Sequence, residues 1–180
     1  MIQYQAENCG KRRDFRSNPH KNWVVPPHMH EYTEIAYTTE GVTTVIVSGK
    51  RYLLPKDHVI FILPNRVHEY TDETESEMRC AVFSNDHIPF FFELLGRRVP
   101  RDPVLDLSGD PSLLRALAAT DHGDTLRLSG LLSLLSDALL RSTELIPAPS
   151  GAPASILYAA IEYVSENFRR DIHLSDVAKT

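Results

Sequence analysis

The sequence is poor in several features that mark common protein classes, and each shortage excludes something. Only two cysteines occur among its 180 residues. Cys9 and Cys80 form no metal-type or redox-type spacing, and one pair makes no disulfide framework. No apolar run approaches the ~20 residues that a membrane span requires, and the first fifteen residues lack the apolar core of a secretory signal. A membrane partner is therefore not expected, and the chain reads as soluble and cytoplasmic. Positive charge is scarce as well. The net charge is -5 and the pI near 5.9, a poor basis for binding nucleic acid through the whole surface. The one basic cluster, Lys11-Arg12-Arg13, reads as a solvated loop.

What is present is a hydrophobic fraction of 42%, enough for a packed core, at a length that suits one domain or one domain plus part of another. The most informative stretch is His28-Met29-His30-Glu31-Tyr32-Thr33-Glu34. On a β-strand, residues at even spacing share a face, so His28, His30 and Glu34 are expected to project together. Two imidazoles and a carboxylate on one wall can hold a divalent metal or grip a polar ligand. From position 28 to 83 short β-branched runs alternate with turns. The strands are expected at 28–37, 42–47, 51–54, 58–63, 67–70 and 78–83, with a turn at Thr38–Gly41. Such spacing suggests a small antiparallel barrel or jelly roll. Residues 1–23 show no clear periodicity, and Trp23 either lines a pocket or plugs one end of the barrel.

Beyond position 83 the period becomes helical. A short helix is expected over His87–Arg98, another over Ser112–Thr120 with Asp110 and Pro111 at its start, and a longer one from Asp124 to about Thr143. In the last, Leu128, Leu131, Leu132, Leu135 and Leu139 make an apolar stripe. It either packs on its own barrel or joins two protomers, and a homodimer through these five leucines is the expectation carried forward. Pro147–Pro153 is a linker by composition. A further amphipathic helix begins near Ser155, with Leu157, Ile161 and Val164 on its apolar face.

His28, His30, Glu34 and Gly41 match the first signature of the cupin superfamily, HxHxxxE followed by six residues and a Gly. Asp57, Pro64 and His68 resemble the second signature, although Lys56 stands for its usual Gly before Asp57 and Asn65-Arg66 replace the Gly of its Pro turn. The resemblance implies that His68 faces His28, His30 and Glu34 inside a barrel. A barrel, a helical connector, a linker and then the pattern Ile156, Ile161, Tyr163-Val164, Asn167-Phe168, Ile172, Leu174, Val177-Ala178 is similar in order to the AraC family of bacterial transcription regulators.

That resemblance implies a mainly β fold with α, a cupin-like antiparallel β-barrel followed by a helical connector. The expected parts are an effector-binding barrel at 1–98, a connector and dimerisation segment at 99–146, a Pro-rich linker at 147–154, and the start of a helix-turn-helix domain at 155–180. It implies an effector-sensing domain, not an enzyme, that takes a small polar, sugar-like ligand. The expected ligand-binding residues are His28, His30, Glu34, His68, Trp23, Tyr37 and Tyr70. A divalent ion (Zn, Ni, Fe or Mn) on the three histidines and Glu34 is the cofactor considered. DNA is expected to be a partner only of the full-length regulator. The competing class is a metal-dependent cupin oxygenase or isomerase using the same four ligands. His20, His58, His87, His122 and His173 are read as surface or packing residues.

Overall fold

The computed structural model describes residues 2–8, 15–71, 75–120, 124–148, 160, 163–164 and 167–178. The chain divides into two compact units, Met1–Ile146 and Pro147–Thr180. The first contains strands β1 (Gln3–Tyr4), β2 (Phe15–Lys21), β3 (Val25–Met29), β4 (Thr33–Val47), β5 (Lys50–Pro55), β6 (His58–Ile62), β7 (His68–Thr71) and β8 (Ser76–Phe83). Helix α1 (Pro89–Leu95) follows, then β9 (Arg98–Pro100), β10 (Val104–Asp106), α2 (Pro111–Ala118), α3 (Thr125–Ser142) and β11 (Leu145–Pro147). The second unit contains the short helix α4 (Leu174–Val177).

The fold is mainly β with helices after it, and β4 organises it. Its first half pairs antiparallel with β6 and β8, and its second half with β5 and β7. One strand thus serves both flanks of a nine-stranded sheet, which curls into a half-barrel. The expected turn at Thr38–Gly41 is not a strand end. β8 continues beside it through a register shift between Thr38 and Glu40, so the backbone stays paired while it bends. Gly41 makes that bend possible. Its φ is +75°, and a Cβ there would lie 2.1 Å from the Glu75 carbonyl oxygen. No larger residue fits.

Strand alternation sorts the side chains of β4 into two cores. Ala36 faces the barrel interior with Val45, Leu54, Ile60, Ile62, Tyr70, Met78 and Cys80. Ile35 and Tyr37 face outward into a second core with Val59, Phe61, Phe83, Leu117 and the helices. Burial on both faces explains why β6 reads as an unbroken apolar run, Val59-Ile60-Phe61-Ile62, rather than an alternating one.

The leucine stripe of α3 belongs to this second core. Leu128, Leu132, Leu135 and Leu139 are buried against the chain's own sheet, and Leu131 is half-buried. Within this chain the stripe therefore has a partner of its own, the outer face of the sheet.

Two further differences concern local pairing. Phe15–Lys21 forms a full strand along β8, where no strand was expected, because its alternation is masked by Arg, Asn and Pro on its exposed side. The helix expected over His87–Arg98 is confined to Pro89–Leu95, opened by Pro89 and closed at Gly96, whose φ is +55°. Asp110 caps α2 as expected, its carboxylate accepting from the Ser112 N–H, whereas the Asp124 side chain makes no such bond at α3. Lys11–Arg13, Cys9, His122, residues 149–153 of the linker, and Leu157 and Ile161 of the last helix lie outside the described residues.

Candidate metal and ligand site

His28 lies on β3 and His30 just beyond it, Glu34 is on β4, and His68 opens β7. The structure brings all four together, by a route that differs from simple strand parity. The strand expected from 28 to 37 breaks at His30–Tyr32. There the Asn65 N–H donates to the His30 carbonyl at 2.7 Å and the Tyr32 N–H to the Asn8 carbonyl at 3.1 Å. Asn65 can reach His30 because it holds a φ of +62°, the left-handed conformation that asparagine tolerates. The same tolerance at Asp57, φ +63°, replaces the missing glycine before β6. His68 arrives by pairing, its Cα directly opposite that of His28 across β3 and β7.

Each imidazole is oriented from behind by a backbone carbonyl. Nδ1 of His28 lies 3.0 Å from the Pro26 oxygen, Nδ1 of His30 lies 2.9 Å from the Tyr32 oxygen, and Nδ1 of His68 lies 2.8 Å from the Arg66 oxygen. A carbonyl only accepts, so each Nδ1 carries a hydrogen and each Nε2 is the atom left for the centre. Ligand atoms of His28, His30, Glu34 and His68 all lie within 4.8 Å of one another, and the four residues are 1–2% exposed. Glu34 Oε2 sits 3.0 Å from His30 Nε2 and 3.4 Å from His68 Nε2. His68 Nε2 is sealed from solvent with no hydrogen bond of its own. Lone pairs converging this closely need a proton or a metal ion between them.

The electrostatics follow from burial and proximity. Burial, with the neighbouring His68, pushes the His28 imidazole down to about 4, against smaller opposing effects of the Pro26 carbonyl and Glu34. Burial also opposes ionisation of Glu34, but the positive charge available at His68 and His30, with the His30 hydrogen bond, holds its carboxyl well below the usual range. For His68, burial disfavours the cation, yet the Glu34 carboxylate outweighs it and raises the imidazole. The centre is an anionic carboxylate inside a ring of imidazoles, a donor set that suits Zn, Ni, Fe or Mn. The fixed Nδ1–H tautomers supply the outer support that metal-bound histidines require.

The remaining expected residues divide. Tyr70 lies in the barrel interior, where its hydroxyl donates a hydrogen bond to Glu34 Oε1. Trp23 packs on Tyr70, ring centroids 4.9 Å apart, and stacks on His20 at 3.7 Å. Tyr37 does not belong to the site. It lies in the outer core beneath the helices, because the alternation that turns Glu34 and Ala36 inward turns Ile35 and Tyr37 outward. Cys80 was missed. It pairs with Ala36 of β4 and packs in the inner core with Tyr70, and burial, with the Glu34 charge, pushes its thiol up. The signal was its even spacing from Met78 on a strand beside β4. Among the other histidines, His87 is buried with Nδ1 3.0 Å from the Ser129 hydroxyl. His58 lies 3.8 Å from Asp106.

The curled barrel thus holds a converging polar cluster inside and carries the helices on its outer face. The family model described as AraC-like ligand binding domain matches residues 14–136, over half of the chain, and the chain belongs to that family. No curated protein matches the sequence. Among solved structures, the chain is similar to ToxT from Vibrio cholerae bound to an unsaturated fatty acid, at 11% identity and a TM-score of 0.58, over 94% of this chain and 70% of that one. A second ToxT structure, bound to (E)-4-(8-methylnaphthalen-1-yl)but-3-enoic acid, gives 11% identity and 0.57 over 92% and 70%. A cupin protein from Bacteroides fragilis gives 16% identity and a TM-score of 0.36 over 39% of this chain. The match spans 65% of that protein, just under two-thirds of its length. Among the described residues no helix is long and apolar enough to cross a membrane.

Proposed function

We propose that this chain is the effector-sensing part of an AraC-type transcription regulator, and that the site it senses with is a divalent metal centre on His28, His30, Glu34 and His68. The observation that carries this reading is the common orientation of the three histidines, each with Nδ1 on a carbonyl, with Nε2 of His30 and His68 turned to Glu34 and all four ligand atoms converging within 4.8 Å. A bound ion would supply a fixed positive charge that ties β3, β4 and β7 together, so that occupancy changes the free energy of one barrel arrangement relative to another. A sugar-like ligand remains the expectation from the family resemblance. The close spacing of the donors and their burial at 1–2% exposure favour an ion over a polyol at this centre. They also favour a sensor over an enzyme, since a catalytic metal keeps a position open to substrate.

The regulator would act in the cytoplasm as a homodimer, with DNA bound by the full-length protein. We place self-association on the outer side of α1 and α3, where Phe90, Leu94, Leu126 and Leu134 are exposed, since the inner stripe is already used. The test of the function is paired. The purified chain, stripped with chelator, is titrated with Zn²⁺, Ni²⁺, Fe²⁺ and Mn²⁺, and transcription from the regulator's own promoter is followed with and without the ion that binds. Stoichiometric uptake that is lost in H68A, together with a metal-dependent change in transcription, is the expected result. A chain that binds no ion, or a response that E34Q leaves intact, would overturn the reading.

A further inference from the structure

Glu34 has two carboxylate oxygens, and the structure gives them different neighbours. Oε2 faces His30 Nε2 and His68 Nε2. Oε1 accepts the hydrogen bond of Tyr70, whose ring is 1% exposed. Tyr70 is itself held in place. It pairs with Val45 of β4 and Val25 of β3, and Trp23 covers it on one side. Cys80 packs beside it in the same inner core. Nothing in metal binding as such demands this arrangement, since a carboxylate that only had to neutralise an ion could turn both oxygens toward it.

We propose that Tyr70 is a positioning residue for the metal centre, and that its hydroxyl commits Glu34 to bind the ion through Oε2 alone. The inference rests on the metal-centre reading above and adds to it a coordination mode and the residue that enforces it. Rotating the carboxylate to present both oxygens would strip the buried Oε1 of its donor, and an unpaired charged oxygen at a buried position is costly. The protein then offers four donors, three nitrogens and one oxygen. That set favours borderline transition ions and disfavours Ca²⁺ and Mg²⁺, which need many oxygens. Tyr70 also links the centre to Trp23, the single tryptophan, so indole emission should report events at Glu34.

The test uses the 180-residue chain and its Y70F variant, which keeps the ring and loses only the hydroxyl. Both are stripped and titrated with Co²⁺, whose visible spectrum reads coordination, and with Zn²⁺ against a chromophoric chelator. Wild type should bind one ion. Y70F should bind one ion with affinity lower by about 10- to 100-fold, the range for lost outer-shell partners, and its Co²⁺ bands should shift in position or intensity. Y70F with unchanged affinity and an unchanged spectrum overturns the role of Tyr70 and leaves the metal centre standing. Wild type that binds no ion overturns both. Should Y70F not fold, the carboxylate stretching bands of Zn²⁺-loaded wild type, taken as a difference from E34Q, decide the matter. Widely split bands, from one-oxygen binding, support the proposal, and narrowly split bands, from two-oxygen binding, overturn it.

Discussion

His28 and His68 face each other across β3 and β7 with Cα atoms in register and ring centroids 4.0 Å apart. Each ring is anchored by a carbonyl two residues before it, Pro26 for His28 and Arg66 for His68. The two halves of the site are therefore built alike, from segments far apart in sequence. Because both anchors are backbone atoms, removing either ring should cost ion affinity more than stability. H28A and H68A should each weaken Zn²⁺ binding by at least about 100-fold, while the urea midpoint of the metal-free chain shifts modestly. Competition titration and urea denaturation check the two halves of this expectation.

Stability of the metal-free chain should depend on pH in two opposite ways. The His28 imidazole is held near 4, below its usual 6.5. As pH falls from 6.5 toward 4 the unfolded chain takes up a proton there that the folded chain refuses, so stability drops. Glu34 lies well below its usual 4.5, so its contribution is present above 4.5 and is lost as pH falls through the folded value. His68 is raised above 6.5, so its contribution is full below 6.5 and is lost as pH rises through the raised value. Urea midpoints measured from pH 4 to pH 9 should peak between these limits. In E34Q the alkaline decline should flatten, because His68 loses the charge that raises it. An E34Q profile that still declines on the alkaline side as wild type does would count against the pairing.

The two signatures around the histidines made the site legible because they encode turns as well as ligands. Gly41, Asp57 and Asn65 hold φ values of +75°, +63° and +62°, and those turns aim β4, β6 and the segment before β7. The route from His30 to Glu34 was not legible. A run of alternating residues looks like one strand, and only contacts from Asn8 and Asn65, remote in sequence, reveal the break. Tyr37 could have been excluded from parity alone, since it sits an odd number of residues from Glu34. Cys80 could not have been placed without knowing that β8 lies beside β4. The inward side of α3 was ambiguous for a plain physical reason. An amphipathic helix must bury its stripe, but its sequence does not say in which chain.

Gly41 supplies a direct test of the bend. A methyl group there would meet the Glu75 carbonyl oxygen at 2.1 Å and would also have to adopt a φ of +75°. Neither strain can be relieved by a side chain, because the obstacle is backbone. G41A should destabilise the chain by about 2 kcal/mol or more, combining the left-handed penalty with displacement of β8. G49A is the control. It has the same kind of backbone angle, φ +80°, with nothing within 4 Å of the added carbon, so it should cost about 1 kcal/mol. Urea denaturation of the two variants beside wild type reads the difference.

The two sides of α3 should respond oppositely to charge. Leu132 and Leu135 are fully buried against the sheet, so glutamate there would place a carboxylate in a dry core. L132E and L135E should fail to fold, and even L132A should cost about 2 to 5 kcal/mol. Leu126 and Leu134 are 89% and 55% exposed on the other side. Glutamate at both should leave the unfolding free energy of the chain within about 0.5 kcal/mol of wild type, as surface changes do. If two copies of the chain meet on this side, L126E/L134E should sediment as a folded monomer while wild type sediments as a dimer at micromolar concentration. A wild type that stays monomeric throughout removes the assigned interface. A dimer that survives the double substitution moves it elsewhere on the chain.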